Sequence, residues 1–170
     1  MATALFINRT DLVRNSIIDG NVDTDKFIQF IQLAQVTEIQ NLMGTELYNE
    51  ISGMITDGSI DDVGNAKFKT LLNDYIAPCL IWYAQEAYIP WSAYTIRAGG
   101  VYKHSSENSE AISKNEIDFL TEKARSNAQY YGRRFIDYMS FNNSSFPKYT
   151  SNTNDDISPT SDSLFNGWVL

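Results

Sequence analysis

Histidine and cysteine are almost missing from this 170-residue chain, which has one of each, His104 and Cys79. Catalysis by nucleophile, base and orienting group needs such residues brought together, so the chain is poorly supplied for it. One cysteine also excludes an intrachain disulfide framework, and the N-terminus lacks the charged and apolar regions of a secretory signal, so synthesis in a cytoplasm is expected. Long hydrophobic runs are absent too. The most apolar stretch, Tyr75 to Ala84, is about ten residues long and gives way to Gln85 and Glu86, too short to span a bilayer. Basic residues are scarce: 13 Lys and Arg against 21 Asp and Glu give a net charge of −8. Residues 1–96 carry 5 basic and 12 acidic side chains, a surface that repels nucleic acid, whereas residues 97–148 carry 8 and 6.

Aromatic side chains are abundant at 13%, and hydrophobic content is 43%, enough for one ordinary core with an aromatic-rich surface or interface. Cys79, inside Ile76-Ala77-Pro78-Cys79-Leu80-Ile81-Trp82, reads as a small buried hydrophobe.

Apolar positions at Phe27, Ile28, Ile31, Ala34, Ile39 and Leu42 predict a helix from Asp23 that Gly44 closes. Thr45 is expected to cap the next helix, with Leu47, Tyr48, Ile51, Met54 and Ile55 inward and a break at Asp57-Gly58. A third helical stretch runs from about Ala66 to Arg97, with a kink at Pro78 and a break near Pro90. Residues 99–112 have no apolar period and read as a long loop. Ser113 and Glu116 have capping-box spacing, and behind them Ile117, Leu120, Ala124, Ala128, Tyr131, Phe135 and Tyr138 step by three or four. Leu5-Phe6-Ile7 is compatible with a short strand. The expected architecture is all-α: a bundle of four to five helices over residues 1–149, with a long loop before the last long helix and an extended C-terminal arm over residues 150–170.

That arm is polar from Asn142 to Ser163 and then carries Leu164, Phe165, Trp168 and Leu170. A polar segment cannot repay its ordering entropy, so residues 150–163 are expected outside the folded body. Fully extended, residues 142–163 span roughly 70 Å, enough for the apolar tip to dock on a neighbour; a frayed terminus or a tail folded back on its own domain are the alternatives.

Motifs for other chemistries fail. His104, Glu107 and Glu110 share a spacing of three, but one imidazole in a polar loop is a poor start for a zinc site. Asp19 to Asp25 opens like a calcium loop, yet its sixth and twelfth positions are Thr24 and Phe30. Gly99-Gly100 follows a helix and lacks the Lys-Ser/Thr pair of a phosphate loop. Arg133 and Arg134 beside Tyr130 and Tyr131 read as a solvated face over a core stripe more readily than as a base-stacking platform. No catalytic residue, cofactor or metal is expected.

Several segments, taken in order, resemble the head-to-tail connector or neck adaptor proteins of tailed bacteriophages, including ring proteins of the crAss-like kind. They are Phe30-Ile31-Gln32-Leu33-Ala34-Gln35 running to Leu42-Met43-Gly44, then Glu46-Leu47-Tyr48, Tyr88-Ile89-Pro90-Trp91, Glu107-Asn108-Ser109, Tyr130-Tyr131, and Phe146-Pro147-Lys148-Tyr149. The resemblance covers roughly Phe6 to Tyr149. It implies a non-enzymatic virion protein, made in the host cytoplasm, whose copies close a ring, commonly twelvefold, between the portal protein and the adjacent neck or tail protein. DNA would pass through the channel without specific binding, and no membrane is involved. Intersubunit and portal contacts would fall on the loop, at Gly99, Gly100, Tyr102, His104 and Asn108, and on Leu164, Phe165, Trp168 and Leu170 of the arm. A cytoplasmic helical module that binds one partner through its tail is the other reading, and an enzyme built on carboxylates alone is a third.

Overall fold

The computed structural model describes residues 4–16, 24–92, 94–97, 100–103, 113–151 and 156–160. The chain is all-α, a helical bundle as its periodicity predicts. Its elements are α1 (Arg9–Asn15), α2 (Thr24–Ala34), α3 (Gln40–Met43), α4 (Thr45–Asp57), α5 (Ala66–Leu71), α6 (Ala77–Ser92), a two-stranded ribbon of β1 (Tyr94–Arg97) and β2 (Gly100–Lys103), α7 (Lys114–Asn142) and α8 (Pro147–Thr150).

The spine is the antiparallel pair α6 and α7. Tyr75 stacks on Tyr138 with ring centroids 4.1 Å apart at one end, Cys79 Sγ donates to the Ala128 carbonyl at 3.5 Å in the middle, and Arg125 Nε meets Glu86 Oε1 at 2.6 Å toward the other. Gly132 is buried at this seam, where a Cβ would make ordinary contact with Leu42 and Cys79 at 3.7 and 3.8 Å. The capping box of α7 is formed: Ser113 accepts from the Glu116 amide, and the Glu116 carboxylate accepts from the Ser113 amide and hydroxyl. The predicted stripe faces inward, with Ile117, Ala124, Ala128 and Phe135 buried. On the other side of α6, Phe27 and Phe30 of α2 meet Tyr88 edge-on at 4.8 and 5.4 Å. Phe146, fully buried against Phe68, closes the bundle next to α8. Burying a Phe of this kind contributes about 1.5–3 kcal/mol.

Two helices contain a wide, π-helical turn. Gln35–Ile39 joins α2 to α3, with the Gln40 amide bonded to the Gln35 carbonyl five residues back; Leu72–Ile76 joins α5 to α6, with the Ala77 amide bonded to the Leu72 carbonyl. The second lies just ahead of Pro78, whose ring crowds the preceding turn. Where a kink is expected, the helix thus carries a wider turn. Pro90 lies inside the last turns of α6, which ends at Ser92.

Four expectations need correction. The third helical stretch does not reach Arg97: residues 94–97 pair antiparallel with 100–103, Tyr94 opposite Lys103 and Arg97 opposite Gly100. The loop assigned to residues 99–112 thus begins as a strand, because alternation over four residues is too short to stand out beside a helical period. Leu5-Phe6-Ile7 forms no strand; Phe6 and Ile7 are buried in the core instead. Thr45 is not a side-chain cap, since α4 starts at it and Gly44 holds the N-cap position. Finally, the arm does not leave the body at residue 150: residues 156–160 lie against it, as detailed next.

Candidate interaction surface

Gly44 ends α3 and begins α4 with φ 75° and ψ 154°, backbone space that favours glycine. A corner between two helices leaves carbonyls of the first and amides of the second without intrahelical partners. The C-terminal segment supplies both kinds of partner. The Thr45 amide donates to the Ile157 carbonyl at 3.0 Å, and the Thr160 amide and hydroxyl each donate to the Asn41 carbonyl at 3.0 Å. The Thr45 hydroxyl donates to Asp156 Oδ2 at 2.9 Å and accepts from Gln40 Nε2 at 3.1 Å. Asp156 so places its carboxylate at the N-terminus of the 13-residue α4, where the helix dipole favours negative charge. Pro159 packs onto the bare Cα of Gly44: a Cβ there would sit 2.6 Å from Pro159 Cγ and Cδ. Ser158 and Pro159 also border an open groove whose far wall is Ile136, Ser140, Asn143 and Tyr149.

The N-terminal segment is held differently. Gln35, fully buried at the start of its π turn, accepts from the Phe6 amide at 2.9 Å and donates from Nε2 to the Ala4 carbonyl at 2.8 Å and to the Tyr48 hydroxyl at 2.9 Å. Phe6 stacks on Tyr48 at 5.0 Å.

Titratable groups gather between α6, α7 and the first π turn. Burial, and secondarily the Glu86 carboxylate, raises the Glu38 carboxyl above its ordinary range, while the Thr37 side chain pulls it down. Glu86 and Glu122 flank Arg125 at 2.6 and 2.8 Å and hold its guanidinium charged. Burial pushes the Cys79 thiol well up, with Glu38 adding to it, so this sulfur packs and does not ionise. Among the described residues no group of His, Cys, Asp and Glu could hold a metal ion, and no helix is long and apolar enough to cross a membrane.

Of the residues expected at contacts, Gly100 and Tyr102 lie on β2, paired with Arg97 and Thr95. Gly99, His104, Asn108, Leu164, Phe165, Trp168 and Leu170 fall outside the described residues, as do Glu107, Glu110 and the turn at 19–23. The docked segment at 156–160 was missed. Its signal was present, since Ile157 and Pro159 are the only apolar residues between Thr150 and Leu164.

No curated protein and no solved structure is found to match the chain. Residues 39–158, a span that runs from the first π turn to the docked segment at the Gly44 corner, match the family described as "Family of unknown function (DUF6712)", and the chain belongs to that family.

Proposed function

We propose that this protein is a virion structural subunit: copies close into a ring in the neck of a tailed bacteriophage, joining the portal to the tail or to the next ring and continuing the DNA channel. The observation that carries this reading is the mooring of residues 156–160 on the Gly44 corner. It holds Thr160 beside Asn41, and only residues 161–163 stand in the sequence between that residue and the first apolar residue of the tip, Leu164. Three residues thus stand between the docked segment and the tip, against the 14 of residues 150–163 that the sequence sets outside the body, so less ordering entropy opposes docking and the tip's effective concentration beside the body rises. From Thr160, the ten residues to Leu170 reach at most about 35 Å. A helical body with a moored, apolar-tipped arm suits heterologous contacts, in which each copy grips the next through a different patch and the rotation closes. The acidic balance of the chain suits a channel through which DNA slides without sticking.

Removing residues 161–170 tests the reading. Helicity and the unfolding midpoint should be unchanged, while ring formation and co-sedimentation with the portal protein of the same virus are lost. Normal assembly of the shortened chain would refute the arm's role. A one-to-one complex with a non-virion protein, together with absence from purified particles, would replace the connector by a cytoplasmic binding module.

A further inference from the structure

The outer face of α7 carries three exposed aromatic side chains, Phe119, Tyr130 and Phe141, at 60%, 57% and 87% of full exposure. They are spaced by 11 residues, about 20° more than three helical turns, so they form a slightly slanted stripe about 33 Å long opposite the buried positions. Two charges on the same stripe stand symmetrically about its midpoint. Lys123 stands seven residues before Tyr130 and Asp137 seven after, both exposed, just as Phe119 and Phe141 stand eleven before and after.

We propose that this face pairs with the same face of a second copy, the two α7 helices running antiparallel across a two-fold axis through Tyr130. In that register Phe119 meets Phe141 of the other copy, Lys123 meets its Asp137, and Tyr130 meets Tyr130. Every contact off the axis occurs twice, and neither charge faces its like. A shift of one turn would lose both the aromatic and the charge matches, and a parallel in-register pairing would keep the aromatic contacts but set Lys123 against Lys123 and Asp137 against Asp137. The stripe is self-complementary, as an isologous contact requires. One helix pair of this length lies at the small end of specific interfaces, so the dimer is weak and its population rises with concentration. The pairing does not rest on the ring reading. Were both true, the pair would have to part before copies enter a ring along a polar neck, where neighbours share no two-fold axis.

Sedimentation velocity of the full chain over a concentration series tests it. A monomer–dimer equilibrium is expected, abolished by Phe141→Asp with no change in helicity, since this side chain packs little in its own body. Lys123→Asp and Asp137→Lys should each weaken the dimer about tenfold, because each sets two repulsive contacts in place of two attractive ones, and combining them should restore it. Register is read by oxidative cross-linking: Tyr130→Cys should link to itself, whereas Phe119→Cys and Phe141→Cys should link only when mixed, Cys79 being buried. A monomer at every concentration, a dimer indifferent to Phe141→Asp, or self-linking of Phe119→Cys would each overturn the proposal.

Discussion

The N-terminal segment Ala4–Ile7 and the C-terminal segment Asp156–Thr160 both fold back onto the helical body, but by opposite means. The first is held by a buried side-chain amide, that of Gln35, and brings two large apolar residues, Phe6 and Ile7, into the core. The second is held mainly through main-chain groups at a helix corner and contributes one proline against one glycine, with Ile157 only half-buried. Apolar burial makes the first part of what folding requires. Hydrogen bonds exchanged for bonds to water return only about 0.5–1.5 kcal/mol each, so the second is a latch that can open while the bundle stays folded.

Replacing Gln35 by Leu should separate the two most sharply. It strands the buried Tyr48 hydroxyl, the Phe6 amide and the Ala4 carbonyl, and at roughly 1–3 kcal/mol per unsatisfied group the loss in denaturant titration should be about 3 kcal/mol or more. A loss below 1 kcal/mol would mean the N-terminal segment is also a latch. Gly44→Ala comes next. The left-handed φ alone should cost more than about 1 kcal/mol, and the clash with Pro159 should also release the latch, seen as faster hydrogen exchange at the Thr45 and Thr160 amides. In a chain lacking residues 156–170 only the φ cost should remain; equal losses with and without the segment would show that Pro159 does not bear on Gly44. Thr45→Val removes the hydroxyl link to Asp156 and Gln40 and should cost about 1 kcal/mol, with exchange quickening at Thr160 but not in α7. The smallest effect is expected at Glu38, away from both segments. Its carboxyl is raised in the fold, so it favours the folded state when protonated, and that contribution disappears as pH rises through the raised value. Glu38→Gln should therefore stabilise by under about 1 kcal/mol near pH 7 and by nothing below about pH 4; a destabilisation at neutral pH would contradict the burial assigned to this group.

The parts legible in the sequence were those written in a regular period or a local cap. The α7 stripe and its Ser113–Glu116 box, and the inward Leu47, Tyr48 and Ile51 of α4, follow from spacing alone. The two π turns did not, because one extra residue in a turn shifts an apolar period too little to detect, and no motif marked Gln35 as the buried amide that binds the N-terminal segment. Gly44 was read as a terminator, which it is, but its second role depends on Pro159, 115 positions later, and no local pattern reports a contact of that separation. The ribbon at residues 94–103 was hidden by its brevity.

The sole thiol of the chain lies fully enclosed between α6 and α7, its sulfur turned to the Ala128 carbonyl. That makes the unaltered protein its own stopwatch. A sulfhydryl reagent can touch Cys79 only when the central helix pair comes apart, so the labelling rate counts those openings directly, in free protein, in a dimer or in an assembled particle, without any mutation or probe.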